Sequence, residues 1–282
     1  MKKYFDLLRI KHYIKNLLIF IPMFFGGEIF NGQKLYRAIL GFVCFCLLSS
    51  SIYIFNDYRD IENDRLHPTK KFRPLASGKV SPLTALFIMM LCLVITSIFT
   101  AYLRNIAGSL CLILYFCLNL LYSIGLKNRP IIDIVILAAG FVIRIFYGGF
   151  ITEIPISQWM YLVIVSGSLY MGLGKRRNEL HKQANTRNVL KYYSIPFLDK
   201  NMYVCVALAN VFYALWTLDM MNKKIVWTVP IFIILLMRYS YDIEGMREKY
   251  DGDPTEVILH DYILVGIVIL YALCIFLLLY VL

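Results

Sequence analysis

The stretch Asn56–Gly78 reads NDYRDIENDRLHPTKKFRPLASG and follows directly on an apolar run. Asn56, Asp57, Asp60 and Asp64 stand in an N-D-x-x-D-x-x-x-D spacing. On a helix, carboxylates so spaced share one face. Like charges held together repel unless a cation sits among them. Hard divalent ions such as Mg²⁺ take such oxygens and share their shell with substrate phosphates. Arg65, His67, Lys70, Lys71 and Arg73 follow, and their side chains are donors suited to phosphate oxygens. A solvated, charge-mixed loop between membrane helices would have the same composition.

Outward from this stretch the chain is apolar. It has 282 residues, 60% of them hydrophobic, and a mean hydropathy of +0.66. A soluble domain is nearer 45–50% apolar, so the composition implies an all-helical, polytopic membrane protein. Apolar runs lie at about 17–30, 36–55, 82–103, 107–124, 131–151, 158–174, 201–219, 225–241 and 262–282. They predict a bundle of nine transmembrane helices, in one domain over 1–282, each near the length that crosses ~30 Å of hydrocarbon. The basic tail before Leu17 resembles the start of a signal peptide. No small-residue cleavage site follows the run, which predicts an uncleaved first helix.

The net charge of +11 is explained by topology rather than by nucleic acid. Of the 29 Lys and Arg, 23 fall in alternate loops on one side, five on the other, and Arg144 lies within a run. The basic side is expected to be cytoplasmic, with the amino terminus inside and the carboxyl terminus outside a plasma membrane. Asp57, Asp60, Asp64, Asp242, Asp251, Asp253 and Asp261 gather on that same side. The seven cysteines lie in apolar runs without a C-x-x-C pair, which supports neither a zinc site nor a disulfide framework.

With these residues in view, the chain resembles the UbiA-type intramembrane prenyltransferase superfamily. The continuation H-P-T-K-K-F-R-P-L-A-S-G is similar to its polyprenyl-phosphate (decaprenyl-phosphate) phosphoribosyltransferase branch. The turn Tyr122–Asp133, with Lys127, and the pattern R-Y-x-x-D…G-x-P-x-E…D from Arg238 to Asp261, with Asp242, fit the same resemblance. One departure stands out. Where the superfamily usually carries a second Asp-rich motif, this chain has Lys175, Arg176 and Arg177, followed by Glu179. A basic triplet suits bare phosphate oxygens and not a cation; it would equally serve as a topological anchor.

The resemblance implies Mg²⁺-dependent transfer of 5-phosphoribose from phosphoribosyl diphosphate to a polyprenyl phosphate at the cytoplasmic face. Asp57, Asp60 and Asp64, helped by Asn56, would hold Mg²⁺. Lys70, Arg73, Lys127, Lys175, Arg176 and Asp242 would bind substrate. The acceptor is already ionised, so no strong general base is needed, and the four histidines form no evident dyad. Lys15, in the basic segment Lys11–Asn16, has two open readings, a grip on lipid phosphate or an interfacial anchor. Arg144 is costly at its depth and should face a partner or cavity. Arg144 is expected to bind substrate, lining the cavity beneath the Asp-rich site and approaching a bound anion; a structural role, satisfied by Tyr hydroxyls and carbonyls, is the alternative. A homo-oligomer is left open. The alternative function is a UbiA-type prenyltransferase joining a prenyl diphosphate to an aromatic or other small acceptor; the basic second site counts against it. A transporter would place polar residues near mid-membrane on broken helices, and here they crowd one face.

Overall fold

The structure, a computed structural model, describes residues 2–67, 69–181, 188–244 and 261–282. Among these all regular structure is helical. Seven helices are long and apolar enough to cross a membrane: Gly32–Arg59 (α3), Pro82–Leu103 (α5), Ile106–Ile124 (α6), Ile132–Thr152 (α7), Ile195–Asp219 (α9), Lys223–Ile243, and Tyr262–Tyr280 (α11). Helix α8 (Gln158–His181) is long enough but ends in Lys175, Arg176, Arg177 and Glu179. With the apolar composition, these helices make the chain a multi-pass membrane protein. The shorter helices α1 (Lys2–Leu8), α2 (Ile21–Phe25) and α4 (Ile61–Leu66), and α10 (Val229–Glu244), complete the α elements among the described residues.

Local sequence explains the starts. Ser81 accepts from the Thr84 backbone N–H and is followed by Pro82, while Ser194 accepts from Phe197 N–H ahead of Pro196. A hydroxyl cap followed by proline accounts for two of the four N–H groups that a helix start leaves without a partner. The first apolar run is divided instead of continuous. Residues Ile10–Phe20 wind as a 3₁₀ segment, and a short α-helix begins at Ile21 with Pro22 in its first turn. Proline there lacks only an N–H that the start of a helix would leave unused.

The chain divides into two compact units. The first comprises Met1–Met23, Ile29–Ser123 and Arg144–Ile154; the second comprises Phe24–Glu28, Ile124–Ile143 and Pro155–Leu282. In the first, the amino-terminal segment lies along α3. Tyr13 Oη and Ser50 Oγ are 2.7 Å apart, and Ser50 Oγ donates to Leu8 O at 2.8 Å. Gly148 of α7 sits against the Ile19 carbonyl so closely that an added Cβ would come within 2.0 Å of its oxygen. Only glycine lets the two backbones meet there. In the second unit, α8, α9 and α10 enclose a core that includes Tyr170, Leu198, Met202 and Ile243. A Cβ on Gly174 would meet Ile243 Cδ1 at 2.7 Å.

Candidate active site

Helix α3 carries Asn56 and Asp57 in its last turn and ends at Asp60, whose backbone (φ −98°, ψ 12°) leaves the helical region. Chain pairing continues through the break: Asp60 N–H bonds Asn56 O at 3.0 Å, and Asp64 N–H bonds Asp60 O at 2.7 Å. The result returns Asp64 beside Asp57. Arg73 Nη1 donates to both, at 3.0 Å to Asp57 Oδ1 and 2.7 Å to Asp64 Oδ2. Arg9 Nη2 donates to the same Asp57 oxygen at 2.5 Å, its guanidinium lying over the Tyr53 ring. Both carboxylates are almost wholly buried, whereas Arg9 and Arg73 keep 20% and 28% of their side chains exposed. The acids are therefore the fixed floor, and the guanidiniums are the groups that can swing toward solvent.

Asn56 accepts from Ser123 Oγ through Oδ1 at 2.6 Å. Asp60 and Lys70 are half-buried, and Lys70 N–H is 3.4 Å from His67 Nδ1. Lys15 is half-buried on the 3₁₀ segment. Its neighbour Asn16 is buried, donating to Cys46 Sγ at 3.2 Å and accepting from Arg144 Nε at 2.8 Å. Arg144 Nη2 donates to Tyr115 Oη at 2.9 Å, and its guanidinium lies 4.9 and 4.8 Å from the ring centres of Phe45 and Tyr115. An amide, a phenol and two ring faces thus meet a charge that hydrocarbon alone would not tolerate.

The second unit holds the other expected residues. Arg176 is completely buried: Nε donates to Asp133 Oδ2 at 2.5 Å and Nη1 to Glu179 Oε2 at 2.5 Å. The other Asp133 oxygen accepts from Tyr193 Oη, which itself accepts from Ile131 N–H. Burial, and then the hydrogen bond to Asp133, push the Tyr193 phenol well above its usual value, so it stays a donor. Arg177 is paired with Asp199 at 2.5 Å. Lys175 and Lys127 are half-buried, the latter on the 3₁₀ turn Leu126–Asn128. Asp242 is buried with Arg238 Nη2 at 3.9 Å, while Arg238 Nε donates to Asp261 at 2.6 Å. The G-x-P-x-E part of the last pattern, Gly252 to Glu256, lies outside the described residues.

Among the described residues, no three His, Cys, Asp or Glu side chains gather as a metal cluster. The Asp57–Asp64 pair still fits a hard cation. Mg²⁺ is usually held by one or two carboxylates, with substrate phosphates and water completing the shell. The sequence placed Arg9 among topological charges and gave no role to Asn16, Tyr115 or Tyr193; Ser123 entered only as part of the turn Tyr122–Asp133. The only local signals were the basic tail and the Lys-Asn pair at 15–16.

Comparison with known proteins decides the lineage. The model of the UbiA prenyltransferase family matches residues 18–257. The chain belongs to the UbiA prenyltransferase family. Two UbiA-type relatives, both decaprenyl-phosphate phosphoribosyltransferases, are similar over most of their length. That of Corynebacterium glutamicum is 35% identical over 97% of this chain and 86% of its own. That of Mycolicibacterium smegmatis is 36% identical over 91% and 86%. A UbiA homologue from Archaeoglobus fulgidus, solved with GPP and Mg²⁺, superposes with a TM-score of 0.75 at 21% identity, over 97% of this chain and 99% of that one. At that identity the likeness concerns the fold. The relatives make this UbiA member a transferase.

Proposed function

We propose that the protein transfers 5-phosphoribose from phosphoribosyl diphosphate to a polyprenyl phosphate, releasing diphosphate at the cytoplasmic face of the membrane. The observation that carries this reading is the Asp57–Arg73–Asp64 cluster with Arg9. It joins buried carboxylates for a cation to movable guanidiniums for phosphate, and the phosphoribosyltransferase relatives lend it support. Asp57, Asp60 and Asp64, with Asn56, would hold Mg²⁺, and a bound divalent ion would neutralise charge on a departing diphosphate. Arg73 and Arg9 leave the carboxylates and turn their N–H groups to phosphate oxygens. Lys70 adds a further cation to the donor. Ser123 fixes the Asn56 amide so that its orientation does not drift.

Lys15, Lys127, Lys175 and Asp242 are proposed to bind substrate. Arg176 would reach a phosphate only by giving up Asp133 and Glu179. Arg144 supplies positive potential beneath the bound anions. Since the acceptor phosphate is already ionised, catalysis consists of positioning and charge stabilisation. The test is a product analysis. Purified protein with Mg²⁺ is given a polyprenyl phosphate and phosphoribosyl diphosphate, and in parallel a prenyl diphosphate with 4-hydroxybenzoate. A phosphoribosylated lipid in the first reaction alone is expected. A prenylated aromatic in the second would overturn the reading in favour of a prenyltransferase.

A further inference from the structure

At the end of α3 remote from Asp57, helices α5 and α6 are joined by only Arg104 and Asn105. Beyond that turn the two helices do not close on each other. They leave a cavity of about 580 Å³, walled by Leu93 and Ala101 of α5 and by Leu112, Ile113 and Phe116 of α6, with Leu48 of α3 beneath. That volume is within the ~300–1,000 Å³ range of small-ligand sites. Thr96, Ser97 and Ser109 also line it, but their hydroxyls are spent on backbone carbonyls. Thr96 Oγ1 donates to Cys92 O at 2.8 Å, Ser97 Oγ to Leu93 O at 2.9 Å, and Ser109 Oγ to Asn105 O at 2.9 Å. Thr100 lines the cavity as well, and its Oγ1 is buried without a hydrogen-bond partner among the described residues, so the lining is mainly carbon with one unspent hydroxyl.

The turn that joins the two walls carries a charge. Arg104 is exposed and sits in the left-handed region (φ 49°), and among the described residues it makes no hydrogen bond or ion pair. Its neighbour holds the turn still: Asn105 Nδ2 donates to Phe150 O at 2.8 Å, and Asn105 Oδ1 accepts from Gly108 N–H at 2.7 Å. The exposed rings of Tyr36 and Tyr102 stand at the same ends of α3 and α5. Exposed tyrosines at helix ends mark the membrane–water boundary, where phosphate headgroups lie. An exposed guanidinium on a held turn, at headgroup level beside a mainly apolar slot, matches the two parts of one molecule. We propose that this groove holds one acyl chain of an anionic glycerophospholipid, with its phosphate on Arg104.

The groove is not an extension of the Asp-rich site. Leu48, the α3 residue that lines it, stands nine positions before Asp57, or ~14 Å along the helix axis at 1.5 Å per residue, and the groove runs from there toward the opposite end of α3, where Thr96 Oγ1 reaches the Cys44 carbonyl. The lipid would come from the leaflet opposite the one proposed to supply the acceptor.

The test uses the full chain in detergent with equal phosphatidylglycerol and phosphatidylcholine of identical chains, and native mass spectrometry to count retained lipid. Wild type is expected to retain phosphatidylglycerol preferentially. Arg104→Gln should reduce that retention about tenfold, the worth of one charge-assisted hydrogen bond, and reduce phosphatidylcholine less, because its choline cation already offsets the same phosphate; Arg104→Lys should restore most of the phosphatidylglycerol. Ala101→Trp, which fills the slot, should release both lipids. Equal retention of phosphatidylglycerol by wild type and Arg104→Gln would overturn the proposal. So would its displacement by polyprenyl phosphate, which would give the groove to the acceptor tail. A change of oligomer mass in Ala101→Trp would also overturn it, because a second copy would then be the occupant.

Discussion

Replacing Arg176 by methionine tests whether the basic triplet is built into the fold or presented to substrate. The guanidinium has no exposure and satisfies two carboxylates, Asp133 and Glu179, at 2.5 Å each. Methionine keeps most of the volume and removes the charge. Glu179 is half-buried and can turn to water, but Asp133 is fully enclosed and left with Tyr193 alone. Breaking one side of a buried pair costs about 3–5 kcal/mol, or about two to three and a half powers of ten in the folded population. Restoring neutrality with Asp133→Asn in the same chain should recover the larger part, since the amide oxygen so introduced still accepts from Tyr193. Reversible unfolding by SDS in mixed micelles measures the difference, and calorimetric titration with phosphoribosyl diphosphate on the folded fraction measures binding. If Arg176→Met unfolds like wild type while donor affinity drops, the pair is not structural and the guanidinium is a phosphate ligand.

Asp57→Asn or Asp64→Asn should abolish turnover with the protein still inserted, and excess chelator should do the same to wild type; near-normal rates in a lipid-product assay would remove the carboxylates from any metal role. Tyr115→Phe keeps the ring under Arg144 but deletes a hydrogen bond from a charged donor, so unfolding should become easier by about 1.5–3 kcal/mol. Gly148→Ala drives a Cβ into the Ile19 carbonyl and should lower the melting temperature by several degrees, read by light scattering on heating. The Arg238 guanidinium, by donating to it, holds Asp261 down to about 2. Because that lies below the ordinary carboxylate value near 4, this contribution is complete above pH ~4 and disappears as pH falls to about 2. Asp261→Asn should erase that step from an acid titration of stability.

The multi-pass helical architecture was legible because hydropathy acts locally: most of the long helices bracket the apolar runs, seven of them meet the length and hydropathy of a span among the described residues where nine were expected, and Ser-Pro starts declare themselves. The nearness of Asp57 and Asp64 was also legible, although the backbone achieves it by breaking at Asp60 and not by one straight helix. What local pattern could not reveal was partnership across long separations. Arg9 reads as one more positive-inside charge until residue 57 is folded against it. Likewise, Lys175, Arg176 and Arg177 look alike in the sequence, yet their fates differ. Helical rotation turns Arg176 to a buried acid 43 positions earlier and Arg177 to Asp199, 22 positions later.

The 3₁₀ segment at the start of the chain has a consequence for the order in which the protein can be completed. Ribosomes release Arg9 and Asn16 first, yet their partners emerge 48 and 128 residues later, at Asp57 and Arg144. Until the seventh α-helix has been made, the opening segment cannot dock fully along α3, and Ile19 has no Gly148 to lie against. The beginning of the chain is thus among the last parts of its unit to be locked. Trimming sixteen residues, as one might trim a basic leader, would delete a ligand of Asp57 and a ligand of Arg144 in a single cut.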